Sequence, residues 1–523
     1  MKRKRILCLV LVLLMLESIF TGCAKQQKAL PEVETSEGYT SLSDLDNKKI
    51  GVVTGTMTAV LVPKLVPNAQ YVEFNSTADV KMALDTGKVD AFPTDESIYI
   101  AMLWEGEEVD RIDEAIAPSD YGFLFGKGKN LTLQEEVNTY IADIREDGRF
   151  QALQEKWFNN QEPEEFASYE DLTGERGTLK VGICSATKPF TYVKNGFYAG
   201  YDIDMIVGFC AEYGYKVVFE DTLFASILAG VSSGIYDIGA SGFTITEERR
   251  ESVDFSDIYH TEDLVFLVKA DSSTAAGEKT MKDWIASVMS GFEKTFIREQ
   301  RWKLIVEGIA TTLLISVLAV VGGTLLGFGL YMLVRSSEPR ISVLAKGIAK
   351  IYCAIIAGTP TLVILMILFY IVFASGDVGG VTVAIIGFIL TFGAYVYDNL
   401  SLTVSGVDKG QLEAAYALGY SRNHAFFRVV LPQAMAMFLP GYTGEIITLI
   451  KATSVVGYIA VNDLTKVGDI IRGNTYEAFF PLISVALIYF AITRIMASLL
   501  GTVRKKTDPK RRKNKDILKG VVR

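Results

Sequence analysis

Two hydrophobic patterns divide the chain. Residues 41–270 mix charged positions with short apolar runs, which predicts buried strands and amphipathic helices of an α/β region. From Ile309 onward the apolar stretches are long and nearly uncharged, which indicates membrane spans. The five predicted spans are Ile309–Val334, Ile351–Phe373, Val381–Tyr397, Phe438–Val461 and Phe479–Leu500. The third span is short, and the fourth contains Glu445 and Lys451.

Composition agrees with this division. Half of the 523 residues are hydrophobic and 22% are charged, which is too polar for a purely membrane-embedded chain and too long for one domain. The fold class is therefore multi-domain, with an α/β part and an all-α membrane part. The net charge of -9 gives no reason to expect nucleic acid as a partner.

Basic residues orient the predicted spans. Lys and Arg follow the first span and fill the tail 503–523, so both segments are expected to face the cytoplasm. With five spans, everything before Ile309 then lies outside. The predicted location is a bacterial cell membrane, crossed several times, with a large exterior domain.

The N-terminal sequence is typical of a secretory signal, which would direct the following residues to the outside of the membrane. Lys2–Arg5 and the apolar run Ile6–Leu16 form a secretory signal pattern, and Phe20-Thr-Gly-Cys23 resembles a lipoprotein processing box. Residues 1–23 are thus predicted to be a signal that leaves Cys23 lipidated; the alternative is an uncleaved signal anchor. No disulfide is expected between Cys184 and Cys210, which the pattern places at opposite ends of a βα unit.

The exterior region contains two related halves. MALDTGKVDAF around Gly87 and ILAGVSSGIYDIGA around Gly234 each read as a helix, a Gly and a short strand that opens with an acid. Further motifs are DLDNKKIG with Thr-Gly-Thr56, KVG at 180–182, GYDID at 200–204 and FTITEERRESVDFSDIY from Phe243. Together they resemble the family 3 extracellular amino-acid-binding proteins of ABC importers.

This resemblance implies a two-lobe clamp of the type II periplasmic-binding-protein kind. The motifs of the family's second lobe come first, in 41–158, and those of its first lobe follow in 177–270. A circular permutation is therefore predicted, with 159–176 as the linker and 271–303 as an amphipathic connector to the membrane.

The resemblance also implies a ligand site. Arg249 matches the family's carboxylate-binding arginine, and Asp95 matches the acid that takes the ammonium group. Thr244 and Thr56 match positions that add anion contacts, and the other expected cleft residues are Phe224, Phe190, Thr187 and Gly242. Cys184 stands where binders of basic amino acids place an acid, which argues against lysine, arginine or ornithine. His260 is expected at the surface, and no spacing indicates a metal site.

One loop of the membrane part carries a second motif. In EAAYALGYSRNHAFFRVVLP the key residues are Glu413, Ala414, Ala415, Gly419, Leu431 and Pro432, and the segment 401–434 resembles the coupling loop of ABC-importer permeases. The plain alternative is an amphipathic helix with a glycine cap. No phosphate-binding Gly-x4-Gly-Lys-Ser/Thr occurs in the sequence, so ATP use is expected in a partner ATPase, and no cofactor is expected in this chain.

The leading hypothesis is a fused binding and permease subunit, with permease domain 304–502, of an ATP-driven amino-acid importer. Expected partners are an amino-acid ligand, the ATPase, a second permease copy in a homodimer, and membrane lipid. Glu445 and Lys451 are candidates for the translocation path, or else extend from a helix end toward water. An amino-acid-gated channel or receptor and a dehydratase-type enzyme on the same clamp remain alternatives.

Overall fold

The computed structural model describes residues 39–270, 281–336, 338–374 and 378–507. The predicted signal with Cys23 and most of the basic tail lie outside the described residues. In the exterior region the strands are β1 Lys49–Val53, β2 Gln70–Phe74, β3 Ala91–Asp95, β4 Val109–Arg111, β5 Ala117–Tyr121, β6 Leu124–Gly126, β7 Thr178–Ile183, β8 Ala186–Thr187, β9 Thr191–Lys194, β10 Phe197–Ala199, β11 Lys216–Asp221, β12 Ile238–Gly239, β13 Val253–Phe255 and β14 His260–Lys269.

The exterior helices surround these strands. They are α1 Met57–Leu65, α2 Thr77–Asp85, α3 Glu96–Trp104, α4 Leu131–Glu146, α5 Arg149–Trp157, α6 Tyr201–Tyr213, α7 Phe224–Ser233 and α8 Glu247–Arg250. One sheet has the order β2-β1-β3-β14-β4, with β5 paired to β14, and the other has the order β11-β7-β12-β6-β13. Strands β8 to β10 form a small third sheet. The predicted two-lobe α/β clamp is confirmed.

The sheets divide the chain differently from the predicted lobe bounds of 41–158 and 177–270. Strand β14 pairs antiparallel with β3, with Phe266 opposite Pro93, and so joins the sheet of the N-terminal half. Strand β6 pairs with β12 and β13 in the other sheet. We call residues 39–121 with 260–270 lobe A, and residues 122–259 lobe B. Each lobe borrows one segment from the other half because strand pairing follows long-range register, which local motifs do not encode.

The core of lobe B explains why the segment after β6 belongs there. Helices α4 and α5 bury Ile141, Ile144 and Trp157 against Val181 and Phe209 in one apolar cluster. Two short crossings, Gly122–Phe123 and Ser256–Tyr259, connect the lobes. The predicted linker 159–176 contains no helix or strand and lies along lobe B, where the Ala167 N–H donates to Asp204.

The membrane part is helical. Its elements are α9 Met281–Phe292 in the connector, α10 Trp302–Val334, α11 Pro339–Gly358, α12 Thr361–Ile367, α13 Gly380–Ser405, α14 Lys409–Ala417, α15 Arg422–Ala425, α16 Leu431–Ala452, α17 Leu464–Thr475 and α18 Phe479–Thr507. In the described residues four helices are long and apolar enough to cross a membrane, or up to five if the bent pair 422–459 and 464–475 counts as one.

The helices differ from the predicted spans in their bounds: α10 and α16 each start seven residues earlier, at Trp302 and Leu431, and the second and third spans differ more. The predicted span Ile351–Phe373 is broken: α11 starts twelve residues earlier, at Pro339, and ends at Gly358, just before Pro360 starts a new turn. A proline disfavours helical backbone in the residue before it, and Thr359 is extended. The predicted short span Val381–Tyr397 is instead a 26-residue helix, α13.

Candidate functional site

The cleft between the lobes brings a cation and an anion together. Arg249 lies on α8 of lobe B, a helix started by Thr246, whose hydroxyl accepts from the Arg249 N–H. Its guanidinium donates to the Thr244 carbonyl at 2.8 Å and, across the cleft, to the Gly55 carbonyl of lobe A at 3.2 Å. The neighbouring Arg250 is exposed and lies 3.8 Å from Glu247.

Asp95 ends β3 in lobe A and directly precedes α3, with no capping hydrogen bond from its side chain. The Tyr121 hydroxyl donates to its carboxylate at 2.6 Å. Burial, and then the charge of Glu262, raise the pKa of Asp95 to about 7, whereas the Tyr121 hydrogen bond and the Arg249 charge oppose this rise. The same burial lowers the pKa of Arg249, although Asp95 favours its charged form. The charges of Asp95 and Arg249 thus interact electrostatically across a desolvated cleft.

Aromatic rings form one wall beside the arginine. Phe224, at the start of α7, stacks on Phe243 with ring centroids 4.4 Å apart. The Arg249 guanidinium lies 5.8 Å from the centroid of the Phe224 ring and 5.5 Å from that of Phe243. An apolar wall next to fixed charges suits a small zwitterion with a side chain of its own.

Of the remaining expected cleft residues, two are close to this centre. The Thr244 carbonyl holds Arg249, and the Thr244 hydroxyl accepts from Ser119 at 3.3 Å. Thr56 precedes α1, and its hydroxyl donates to the Val53 carbonyl at 2.7 Å. It follows Gly55, which has a left-handed φ of +81°.

Three others occupy different surroundings. Phe190 is fully buried and stacks on Tyr121. Gly242 has a φ of +65°, and a Cβ there would lie 2.6 Å from the Phe190 ring, so glycine is required by close packing. Both residues support the cleft from behind. Thr187 belongs to β8, which packs against helix α17 of the membrane part.

The structure adds residues that the sequence patterns did not single out. Tyr121 stands at the end of β5, where the chain crosses between lobes, and Glu262 accepts from the N–H and hydroxyl of Ser97 at 2.6 and 2.8 Å. His260 is 6% exposed and stacks on Phe158 at 4.1 Å, so its expected surface position was wrong. No sequence signal marked Tyr121 and His260, because they lie at lobe crossings that only the strand pairing reveals.

At the other end of the molecule the EAA motif forms a compact helical loop. Glu413 and Ala414 are exposed on α14, whereas Ala415 is buried. Gly419 follows with a φ of +82°, and Leu431 and Pro432 open α16. Four large apolar side chains point outward from this loop: Tyr416, Leu418, Tyr420 and Phe427.

Arg335 and Arg422 connect the loop to the bundle, because each guanidinium donates to the backbone carbonyl of the other. Arg335, at the end of α10, donates to the Arg422 carbonyl at 2.7 Å and lies 4.1 Å from the centroid of the Phe426 ring. In the bundle, Glu445 is half-buried and Lys451 exposed on α16, and no ion pair joins these two described residues.

Comparison with known proteins identifies both parts. Residues 179–354 match the bacterial extracellular solute-binding proteins, family 3, and residues 339–508 match the inner membrane component of binding-protein-dependent transport systems. A probable amino-acid ABC transporter permease of Bacillus subtilis is 36% identical over 205 residues, which are 39% of this chain and 88% of that protein. A putative glutamine transport system permease of Rickettsia bellii is 34% identical over 39% of this chain and 92% of its own length.

A solved amino acid ABC transporter crystallised with histidines is 32% identical, with a TM-score of 0.36, over 39% of this chain and 94% of that one. Both matched families are components of importers, which removes support for the channel or receptor alternative. The chain belongs to the amino-acid ABC transporter permeases and carries a family 3 solute-binding domain in the same polypeptide, so that binding and translocation are joined in one importer subunit.

Proposed function

We propose that the chain captures one uncharged polar amino acid between Arg249 and Asp95. The observation that carries this proposal is the presence of opposite charges on the two lobes, facing one desolvated cleft. An α-amino acid presents a carboxylate and an ammonium group, and a fixed guanidinium and carboxylate complement both. Binding then holds the lobes together, because each charge of the ligand pairs with a different lobe.

The side-chain class follows from the cleft wall. Phe224 and Phe243 offer an apolar surface, and β7 is followed by Cys184, which is buried, rather than by an acid. A cationic side chain would lack a partner there. Relatives of this chain are named as permeases for glutamine, L-cystine and arginine, so the exclusion of a basic ligand rests on Cys184 and not on these names.

We also propose that the exterior domain is a permuted clamp with a single site. The family 3 match begins at residue 179, at β7, although the clamp itself begins with lobe A. In the described residues both halves contribute strands to each of the two large sheets, which supports one clamp with one cleft between its lobes. One ligand per chain is the expected stoichiometry.

The energy source in this proposal is a separate ATPase that docks on the segment 401–434. The exposed Tyr416, Leu418, Tyr420 and Phe427 form an apolar surface of the kind that partner proteins cover. Two permease copies would line one path, with Glu445 as a candidate polar group along it. The matches favour such a transporter over a dehydratase-type enzyme.

Calorimetry on the full chain in lipid nanodiscs tests the ligand assignment. Titration with the standard amino acids and cystine should reveal one bound ligand per chain. Arg249→Ala should lower its affinity by about a hundredfold or more, since a buried ligand charge is left unpaired at a cost of about 3 kcal/mol.

Arg250→Ala is the matched control, because this neighbour is exposed, and its affinity should stay within about twofold of the wild type. An Arg250 variant that loses binding while the Arg249 variant keeps it would overturn the assignment. Native mass spectrometry of the purified complex should show two copies of this chain with two ATPase subunits.

A further inference from the structure

Helix α17 connects the membrane bundle to the clamp. Its first residues are held to the bundle: Asp463 accepts from the N–H groups of Thr465 and Lys466 and from the Tyr489 hydroxyl at 3.0 Å. The Leu464 N–H donates to Thr312 on α10. The start of α17 is therefore part of the permease core.

The first turn of α17 forms a hydrogen bond and an ion pair with lobe B. Lys466 is buried; its ammonium donates to the Thr222 carbonyl at 2.8 Å and lies 3.4 Å from the Asp221 carboxylate. The Thr222 hydroxyl donates to the carbonyl of Gly457, in the 3-10 helix Thr453–Ile459 that precedes α17. These contacts fix lobe B to the bundle.

The last turn of α17 reaches the other lobe. Arg472 forms ion pairs with Asp79 of lobe A and, at 2.9 Å, with Asp469 of its own helix. In the same turn, a Cβ on Gly473 would lie 2.4 Å from the Cβ of Ala186, so this end of the helix also lies directly on β8 of lobe B. One permease helix thus contacts both lobes.

Both anchor points lie at the cleft rim. Asp221 ends β11, and Asp79 is in the first turn of α2, just after β2. The carboxyl ends of parallel strands and the following helix starts face the ligand crevice in such sheets. Lobe A is also tied to the connector, where Arg298 donates to Glu105 at 2.9 Å, but Glu105 ends α3 whereas Asp95 begins it. Glu107, next to this end, pairs with Lys294 of the connector and with Lys81 of α2, so lobe A is anchored here, and a parting of the lobes about this anchor moves Asp79 relative to Arg472.

We propose that α17 is a strap across the mouth of the clamp. In the closed state the Arg472–Asp79 ion pair holds lobe A against this helix, and the pair breaks when the lobes part. Release of the pair opens the cleft beside Gly457, toward the bundle. The inference rests on the proposed importer function. It makes Arg472 a positioning residue for ligand transfer.

Reversible cross-linking tests this proposal in cells whose uptake of a radiolabelled amino-acid mixture depends on the chain. The Asp79→Cys/Arg472→Cys double variant is joined by a short bis-thiosulfonate linker, because the two long side chains span more than a disulfide does. Uptake should fall more than tenfold on linkage and return with reductant. Glu136→Cys/Arg176→Cys, which replaces an exposed 2.6 Å ion pair within lobe B, is the matched control and should keep uptake within twofold.

Charge exchange gives a second measurement. Asp79→Arg should lower uptake severalfold, and the addition of Arg472→Asp should restore it. Verified linkage with undiminished uptake, or no rescue by the exchange, overturns the strap. Absence of ATP-dependent uptake by the wild-type chain would instead overturn the proposed function, so the two failures are distinguishable.

Discussion

The permease meets other structures on two faces that differ in chemistry. On the exterior face α17 buries Lys466 against Asp221 and places Asn474 inside the interface. On the cytoplasmic face the EAA loop leaves Leu418 78% exposed, together with Tyr416 and Phe427. Buried ion pairs mark the first face, and uncovered apolar side chains mark the second.

The difference teaches how fusion changes an interface. A binding domain tethered to its permease never has to find it from solution, so their contact can be built like a protein interior with desolvated charges. A buried pair is tolerable only when both partners stay in place. A partner that docks from solution meets a surface that is also stable when bare, which exposed side chains on short helices provide.

The largest effect is expected at the cytoplasmic face, from a substitution that strains the backbone of the EAA loop. Gly419→Val should lower ATP-dependent uptake more than tenfold while calorimetric ligand affinity stays unchanged. The reason is the φ of +82°, which a β-branched residue adopts only with strain; the space around a Cβ is free. Measurement of both quantities in the same vesicles separates coupling from capture.

The matched variant is Gly419→Asn, since asparagine tolerates left-handed backbone better than other side chains, and it should retain most uptake. Wild-type uptake by the valine variant would mean that the turn is not needed for docking.

At the exterior face the buried cation is the sensitive element. Lys466→Met should destabilise the chain by about 3–5 kcal/mol, because Asp221 is left buried without its cation. Thermal unfolding followed by tryptophan fluorescence should show a lower midpoint. Further replacement of Asp221 with Asn should recover part of the loss.

Arg149→Ala provides the contrast within lobe B. Arg149 pairs with Asp147 and Glu212 at the surface, and loss of such a pair changes stability by about 1 kcal/mol or less. Equal destabilisation by the two variants would contradict the interior-like description of the exterior interface.

The sequence predicted the cytoplasmic face of the permease but not the contacts of its exterior face. The EAA loop is a contiguous motif, so the turn at Gly419 and the helix start at Leu431 could be assigned from spacing alone. The role of helix α17 could not be assigned from spacing, because in the sequence Lys466 and Arg472 are two charged residues after a predicted span. Only the folded structure shows that they pair with residues of the clamp. Their partners lie more than 200 residues away.

The same limit applies inside the clamp. Family motifs located Arg249 and Asp95, which the structure brings into mutual electrostatic contact. They did not reveal that β14 returns to lobe A, nor that Tyr121 donates to Asp95, since both depend on strand pairing across more than 100 residues or on a lobe crossing.

Asp95 extends the comparison to a third kind of buried charge, because in the proposed site its partner is the ammonium group of the ligand. Its pKa of about 7 means that the empty cleft holds a partly protonated carboxyl, whereas an ammonium ligand requires the carboxylate. Ligand affinity measured by calorimetry should therefore fall about thirtyfold between pH 8 and pH 5.5. The contribution of Asp95 to stability without ligand should move the opposite way: its folded pKa lies above the unfolded value of about 3.9, so this contribution is fully present below pH 4 and is lost as the pH rises through 7. Asp95→Asn should flatten the affinity profile and raise the unfolding temperature of the empty chain at pH 8, while Arg250→Ala keeps the wild-type profile. An affinity that stays constant across this range would show that Asp95 does not meet the ammonium group.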